Sequence, residues 1–297
     1  MTGRDATARD ATARVAANER GYRWRRRAAR VGIYLFLIVL AAVFLYPVVL
    51  MVFSSFKSTP ELFRNPFGLP ETWSLDTFVE VWRRASFGTY LRNSLLVTGA
   101  SAALLLLCAA PAAYALARYR FRLQTFLFLF FLAGIMIPIR LGILPLYILM
   151  RNLNLLDTPF SLIFTYSASG MPMAVFLLSI FFRNLPRELE DAGRIDGASE
   201  TQIFWRIMLP LVRPGLATVV IVNVVPWWND FFFPLLFIQS DTWKTIPLGM
   251  QIFFGQHMTN WSLVFSGMVL ASLPLLIIYL VMSRQFIAGL TAGAVKG

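Results

Sequence analysis

Charge is scarce in this sequence. Of its 297 residues only 14% are Asp, Glu, Lys or Arg, against 58% apolar. A water-soluble domain of that length needs far more charge to cover its surface, so a soluble globular protein is excluded at the outset. The single cysteine, Cys108, rules out a disulfide within the chain and any cysteine-based metal site. It lies inside an apolar run and is expected to be a small buried hydrophobe. The single histidine, His257, rules out a site with two histidine ligands, and no metal site is expected. No Gly-rich phosphate loop of the Walker type occurs, and no acid–base pair suited to a soluble cleft. The chain is therefore not expected to be an enzyme, to hydrolyse ATP or to bind a cofactor itself. The apolar runs also lack an acidic network fit for a proton relay, which weighs against an ion-coupled carrier. Neither a solenoid repeat nor two halves matching as inverted repeats is visible.

Long apolar runs are what the chain does have, and its mean hydropathy is +0.65. Crossing a bilayer core takes about 20 apolar residues. Runs of that order lie at 31–53, 93–117, 124–146, 158–182, 215–238 and 261–283. The expected fold is thus an all-α integral membrane protein of six transmembrane helices, occupying 31–297 behind a basic tail at 1–30. The tail repeats Asp-Ala-Thr-Ala-Arg and ends in Arg23, Arg25, Arg26, Arg27 and Arg30; it is expected to lack order up to that basic cluster. The first run is 23 residues long and has no small-residue cleavage site, so it is read as a retained anchor and not as a signal peptide.

The net charge of +12 suits a membrane better than nucleic acid, because the basic residues gather at the ends of apolar runs. With the N-terminus inside, cytoplasmic segments carry 19 Lys and Arg and outer segments 8. The positive-inside rule then places both termini in the cytoplasm.

The segment 185–210, between the fourth and fifth runs, is polar enough to be read in detail. Asn184 is placed to cap a helix, with Pro186 early in it. Glu188, Glu190 and Asp191 fall in the opening turns, where carboxylates suit the positive helix end. Gly197 supplies a left-handed terminus, and Ser199 with Gln202 spells a capping box for a second helix. Ile203, Phe204, Ile207 and Met208 give that helix an apolar face, and Pro210 is expected to stop it. The product is a helix–turn–helix with Ala192, Gly193, Gly197 and Ala198 at the bend. Two readings follow from the residues: a knob for docking a rigid partner, or an amphipathic hairpin lying on the membrane surface.

The same stretch resembles the coupling loop of permease subunits of ATP-binding cassette (ABC) importers. That pattern runs Glu-Ala-Ala, three residues, Asp-Gly, nine residues, Ile-x-Leu-Pro. Here Asp196-Gly197 is followed by nine residues and then Ile207-Met208-Leu209-Pro210. Asp191-Ala192-Gly193 stands in place of Glu-Ala-Ala. Further likeness to the carbohydrate-uptake branch, on the side of the smaller maltose-type permease, is carried by Tyr46-Pro47, Ser54-Ser55-Phe56-Lys57, Asn93-Ser94 and the closing stretch 289–297. The resemblance implies the type I importer permease fold in the inner or plasma membrane of a prokaryote. It implies two ABC ATPase subunits (which would hold the ATP and Mg), a second homologous permease forming a heterodimer, an extracellular solute-binding protein, and a sugar or oligosaccharide as cargo. It assigns ATPase coupling to Glu190, Asp191, Ala192, Gly193, Asp196, Gly197, Ala198, Ile207, Leu209 and Pro210. Glycerol phosphate or a glycerophosphodiester stands as the alternative cargo.

A possible substrate path comprises Asn223, Trp227, Trp228, Asn229, Asp230 and Arg140. An ionisable group at membrane depth points to function by default. Asp230 equally suits a helix end in the aromatic belt, and Arg140 a side chain snorkelling to the outer interface. The outer segment 240–260, with Asp241, Trp243, Lys244, Gln251, His257 and Asn260, reads either as a probe of an external binding protein or as an ordinary surface loop.

Overall fold

A computed structural model describes residues 4–84, 86–254 and 259–294, with the side chains of 29–83, 86–254 and 259–281. His257 and the end of the closing stretch 289–297 lie outside them. The regular secondary structure among the described residues is helical, joined by turns and loops, apart from one isolated bridge between Phe254 and Thr259. Helix α1 spans Arg4–Ser54, so the tail expected to lack order is helical and continuous with the first apolar run. Short outer helices α2 (Thr59–Arg64) and α3 (Asp76–Arg84) follow. Next come α4 (Phe87–Arg118), α5 (Gln124–Met136), α6 (Ile143–Asn152), α7 (Pro159–Arg183) and α8 (Glu188–Ile195). After α9 (Glu200–Gln202), a π-helical turn (Ile203–Met208) and α10 (Leu209–Leu211) lie α11 (Arg213–Trp228), α12 (Phe232–Phe237), α13 (Ile246–Gly249) and α14 (Trp261–Ala294).

Among the described residues, four continuous helices are long and apolar enough to cross a membrane: Ala29–Ser54, Phe87–Arg118, Pro159–Arg183 and Trp261–Val281. Two bent pairs raise the number to as many as six, if each pair counts as one span. The third expected span is not continuous to 146. Pro138 disfavours helical backbone at the residue before it, Ile137 is extended (φ −92°, ψ 112°), and the chain turns by 86° into Ile139–Asn152. The fifth is interrupted too: α11 ends at Trp228 and α12 restarts at Phe232.

The centre of the molecule is α4 against α7. Their interface is made of small residues, as expected where two helices pack without a hydrophobic driving force between them. Ala109, Ala113 and Ala174 have no exposed surface. Ser167 Oγ donates to Ser101 O at 3.0 Å and Ser179 Oγ to Ala113 O at 3.4 Å, each from α7 to α4. Gly170 lets α11 close in as well, since a Cβ there would stand 2.7 Å from Asn223 Oδ1 and 3.0 Å from Trp227. α1 packs along α14 and leaves its apolar residues 31–49 exposed. Cys108 is exposed on α4, which corrects the expectation of burial; in a bilayer an apolar face turned outward meets lipid at no cost. After α1, Lys57 is buried, its ammonium donating to Asn65 O and Gly68 O at 2.7 Å and to Pro66 O at 3.3 Å.

Candidate functional site

The first helix of the loop 185–210 begins at Glu188, about one turn after the point its sequence suggests. Asn184 closes α7, its N–H bonding back to Ile180 O, and α8 has no side-chain cap. The end of α8 is a full Schellman motif: Ala198 N donates to Gly193 O at 2.9 Å and Gly197 N to Arg194 O at 3.1 Å. Gly197 sits at φ +80°, the left-handed region where a side chain is disfavoured. The capping box also forms, with Ser199 Oγ accepting from Gln202 N at 3.3 Å and Gln202 Oε1 accepting from Ser199 N at 2.8 Å. Pro210 does not stop the second helix. It enters the first turn of α10, a position where its missing N–H is harmless. Just before it the backbone widens into the π turn, so that Leu209 N reaches Phe204 O. The break comes after Leu211, with a 71° bend into α11.

The two faces of the hairpin differ. Ile203, Phe204 and Met208 are buried, while Ile207 and Leu209 are half-buried against the central core. Gly193 is buried too: a Cβ there would meet Ile207 Cδ1 at 2.9 Å and Ile203 Cγ1 at 3.1 Å, so this glycine closes the hairpin on itself. Asp191, Ala192, Asp196 and Gly197 are exposed, and Ala198 and Pro210 half-buried. The tip carries Ile195, 86% exposed, which the residue-by-residue reading passed over. Its signal was an apolar residue in the last turn of a polar helix, directly before Asp-Gly.

Glu190 turns inward. Its carboxylate takes the Tyr114 hydroxyl at 2.8 Å and an Arg118 ion pair at 2.7 Å, with both side chains nearly buried. Arg118 Nη1 also donates to Leu185 O at 2.9 Å and Nη2 to Pro186 O at 3.2 Å. Losing one partner of a buried pair costs about 3–5 kcal/mol, because the other charge is left without compensation. On the outside Arg194 pairs with Asp191 at 2.9 Å and Glu200 at 2.7 Å, where solvent screens both. Arg194, and then the Tyr119 hydroxyl at 2.7 Å, hold the Glu200 carboxyl below its ordinary range.

The possible path residues fall into two groups. Trp227 stacks on Tyr166 (5.7 Å between centroids, 11° between planes), and the Tyr166 hydroxyl donates to Asp230 Oδ2 at 2.8 Å. Tyr166 is a member that sequence reasoning missed, since nothing local marks it. Asp230 also accepts from Phe232 N and Phe233 N, both at 3.2 Å, so it caps α12. The Arg140 guanidinium lies 5.5 Å from the Phe232 ring centroid, which brings it to the same end of the helices. Asn223 is buried beside Gly170, its amide donating to Val219 O at 2.9 Å, and Asn229 donates to Val225 O at 2.9 Å. Trp228 parts company: it is buried in an outer cluster with Tyr90 and Leu263, and Nε1 donates to Ala271 O at 3.0 Å. A groove of about 490 Å³ opens between the break at Ile137 and α7, lined by Gly134, Ser169, Pro172 and neighbours. None of the six expected path residues lines it.

A helical membrane domain with bent spans and a capped hairpin at one end is the architecture of a transporter's membrane subunit. The fold is shared with a solved bacterial ABC transporter involved in the import of the acidic polysaccharide alginate, with a TM-score of 0.77, 22% identity and 88% of this chain on 97% of that one. Residues 106–291 match the model of the family described as binding-protein-dependent transport system inner membrane component, and the chain belongs to it. Among curated relatives it is 34% identical to the diacetylchitobiose uptake system permease protein NgcG of Streptomyces coelicolor, over 91% of this chain and 90% of that protein. It is 36% identical to the melibiose/raffinose/stachyose import permease protein MelC of Bacillus subtilis, over 92% of this chain and 99% of that one. The protein is thus an integral membrane permease of the ABC type. The ATPase of such a transporter is a separate subunit.

Proposed function

We propose that this permease carries a sugar or oligosaccharide inward, pairing with a second homologous permease, two ABC ATPase subunits and an external binding protein. Both termini would face the cytoplasm of a prokaryotic cell, and the hairpin 185–210 would dock on the ATPase. The observation that carries the docking reading is the split between the hairpin's faces. Its inner face is locked to the core through Ile203, Phe204 and Met208, while Ala192 and Ile195 at the tip are exposed. A hairpin lying on a membrane would turn its apolar face to lipid, and this one spends that face on α4 and α7. ATPase closure would then pull on the hairpin and rock the helical bundle, giving alternating access.

The cargo reading is supported by the oligosaccharides named for the relatives. Reconstituting the full complex with its binding protein and measuring ATP-dependent uptake of labelled oligosaccharides tests the cargo. Uptake of glycerol phosphate with none of any oligosaccharide would overturn it. A cysteine at Ala192 is expected to crosslink to the ATPase in the assembled complex. If it does not, the docking reading fails.

A further inference from the structure

We propose that Glu190 is a positioning residue that locks the coupling hairpin to the central helix pair, so that α4, the end of α7 and α8 move as one lever. The inference rests on the coupling role proposed above. The carboxylate sits in the coupling motif next to Asp191, yet it is 5% exposed and turned inward to Tyr114 and Arg118.

Its contacts reach several elements. Arg118, the last residue of α4, presents Nε to both Glu190 oxygens at 3.0 and 2.9 Å and Nη2 to Oε2 at 2.7 Å. The same guanidinium donates Nη1 to Leu185 O at 2.9 Å and to Phe182 O at 3.4 Å, and Nη2 to Pro186 O at 3.2 Å. One planar cation therefore joins the C-terminal end of α4, the C-terminal end of α7 and the side of α8. Lysine, a point charge without the planar fork, cannot reach these spread acceptors in the same geometry. Tyr114, one turn earlier on α4, fixes the carboxylate from the other side at 2.8 Å, and its ring packs 5.3 Å from Phe182 and 5.1 Å from Phe204. The pair is short, forked and shielded from water, so it is stiff in a direction where a hydrophobic contact would slide.

A partner pulling on the exposed tip delivers its force through this point. Without the lock, the hairpin could follow the ATPase while α4 and α7 stay behind. Energy from hydrolysis would then be lost between the two.

The test uses the whole complex in proteoliposomes, with ATP hydrolysis and uptake both scaled to assembled complex. Glu190→Gln is expected to lower uptake per ATP by about tenfold or more, the scale set by leaving a buried charge unpaired, and Arg118→Lys to lower it as well, because the fork that also reaches Leu185 O and Pro186 O is lost. Tyr114→Phe is expected to lower it by about two- to threefold, as one neutral hydrogen-bond donor is lost. Exposed Glu188→Gln should leave the ratio alone. A purely structural role would reduce the amount of assembled complex without moving the ratio, and an unchanged ratio overturns the proposal. Should Glu190→Gln fail to assemble, spin labels at Arg120→Cys and Ile195→Cys in an otherwise intact Cys108→Ser complex answer the question. Their distance must stay the same with and without ATP, and a nucleotide-dependent change overturns the lever. A wild-type complex in which ATP drives no uptake would remove the coupled-permease reading itself, and so is told apart from failure of the lever alone.

Discussion

Tyr166 on α7 and Asp230 at the break before α12 are joined by a 2.8 Å hydrogen bond, and the tyrosine ring stacks on Trp227 of the intervening helix. The pair explains how a carboxylate is tolerated in an apolar segment. Two backbone N–H groups and one phenol satisfy it, at a point where the helix restarts and donors would otherwise be orphaned.

Asp230 therefore acts first as a cap, and its variants should separate capping from sugar contact. Asp230→Asn keeps a good capping oxygen and is expected to hold both the melting temperature and the KM for uptake near wild type. Asp230→Ala should cost about 1 kcal/mol of stability, the usual loss for a helix cap. Thermal unfolding of the purified complex gives the first quantity and uptake kinetics the second. If Asp230→Asn kept its stability while KM rose steeply, the carboxylate would be a cargo ligand as well.

Gly193 should be the least replaceable residue of the hairpin, although it looks like the neighbouring Ala192. A Cβ at 193 presses on Ile203, which has no exposed surface and nowhere to go. Gly193→Leu is expected to force α8 off the π turn and cost more than 2 kcal/mol, in the upper range for overpacking (about 1–3 kcal/mol). Ala192→Leu, on an exposed site, should fold normally. Thermal unfolding of the purified permease pair without its ATPase distinguishes the two, since Ala192 also belongs to the proposed docking surface.

At Gly197 the expected ranking is set by backbone alone, because nothing stands within 4 Å of a Cβ there. The left-handed conformation costs an ordinary residue about 1–2 kcal/mol and asparagine less. Stability should therefore fall in the order Gly, Asn, Ala, Val, read from limited proteolysis of the hairpin. Equal stability of Ala and Gly would mean the turn relaxes to another conformation.

These cases show which parts of the structure the sequence made legible. The Gly197 terminus and the Ser199–Gln202 box could be read because each depends on residues within a few positions. Pro138 marked the bend after α5, yet the apolar run passes through it unchanged, so the span looked straight. The direction of Glu190 could not be read at all, since Arg118 and Tyr114 lie more than 70 positions away. The same holds for Tyr166 and Asp230. The softer family likenesses turn out to occupy anchoring points: Asn93 holds Thr242 O and Lys244 O at 2.8 and 3.0 Å, and Ser94 holds Ile246 N at 2.9 Å. Their chemistry is legible only with the partner strand of chain in view.

Asp157, in the connection before α7, ties that connection to residues 239–240 after α12, and it predicts a pH dependence. Oδ1 accepts from Ser240 N at 2.8 Å, Gln239 N at 3.0 Å and Ser240 Oγ at 2.9 Å. The Ser240 N–H, chiefly, holds the carboxyl below its ordinary value of 3.8. A carboxyl depressed in the folded state adds stability that is fully present above its unfolded value and is lost as pH falls through the folded one. Melting between pH 7 and 5 should thus be insensitive to this group, with loss only below about pH 4. The residue is left-handed (φ 57°), a conformation asparagine accepts, so Asp157→Asn removes the charge without straining the backbone. The variant should melt about 2–4 °C lower at pH 7, the shift that 1 kcal/mol gives a chain near this size. The gap should close as pH drops below 4, when the wild-type carboxyl is protonated too. A gap that stays constant across the whole pH series would assign the loss to geometry and not to charge.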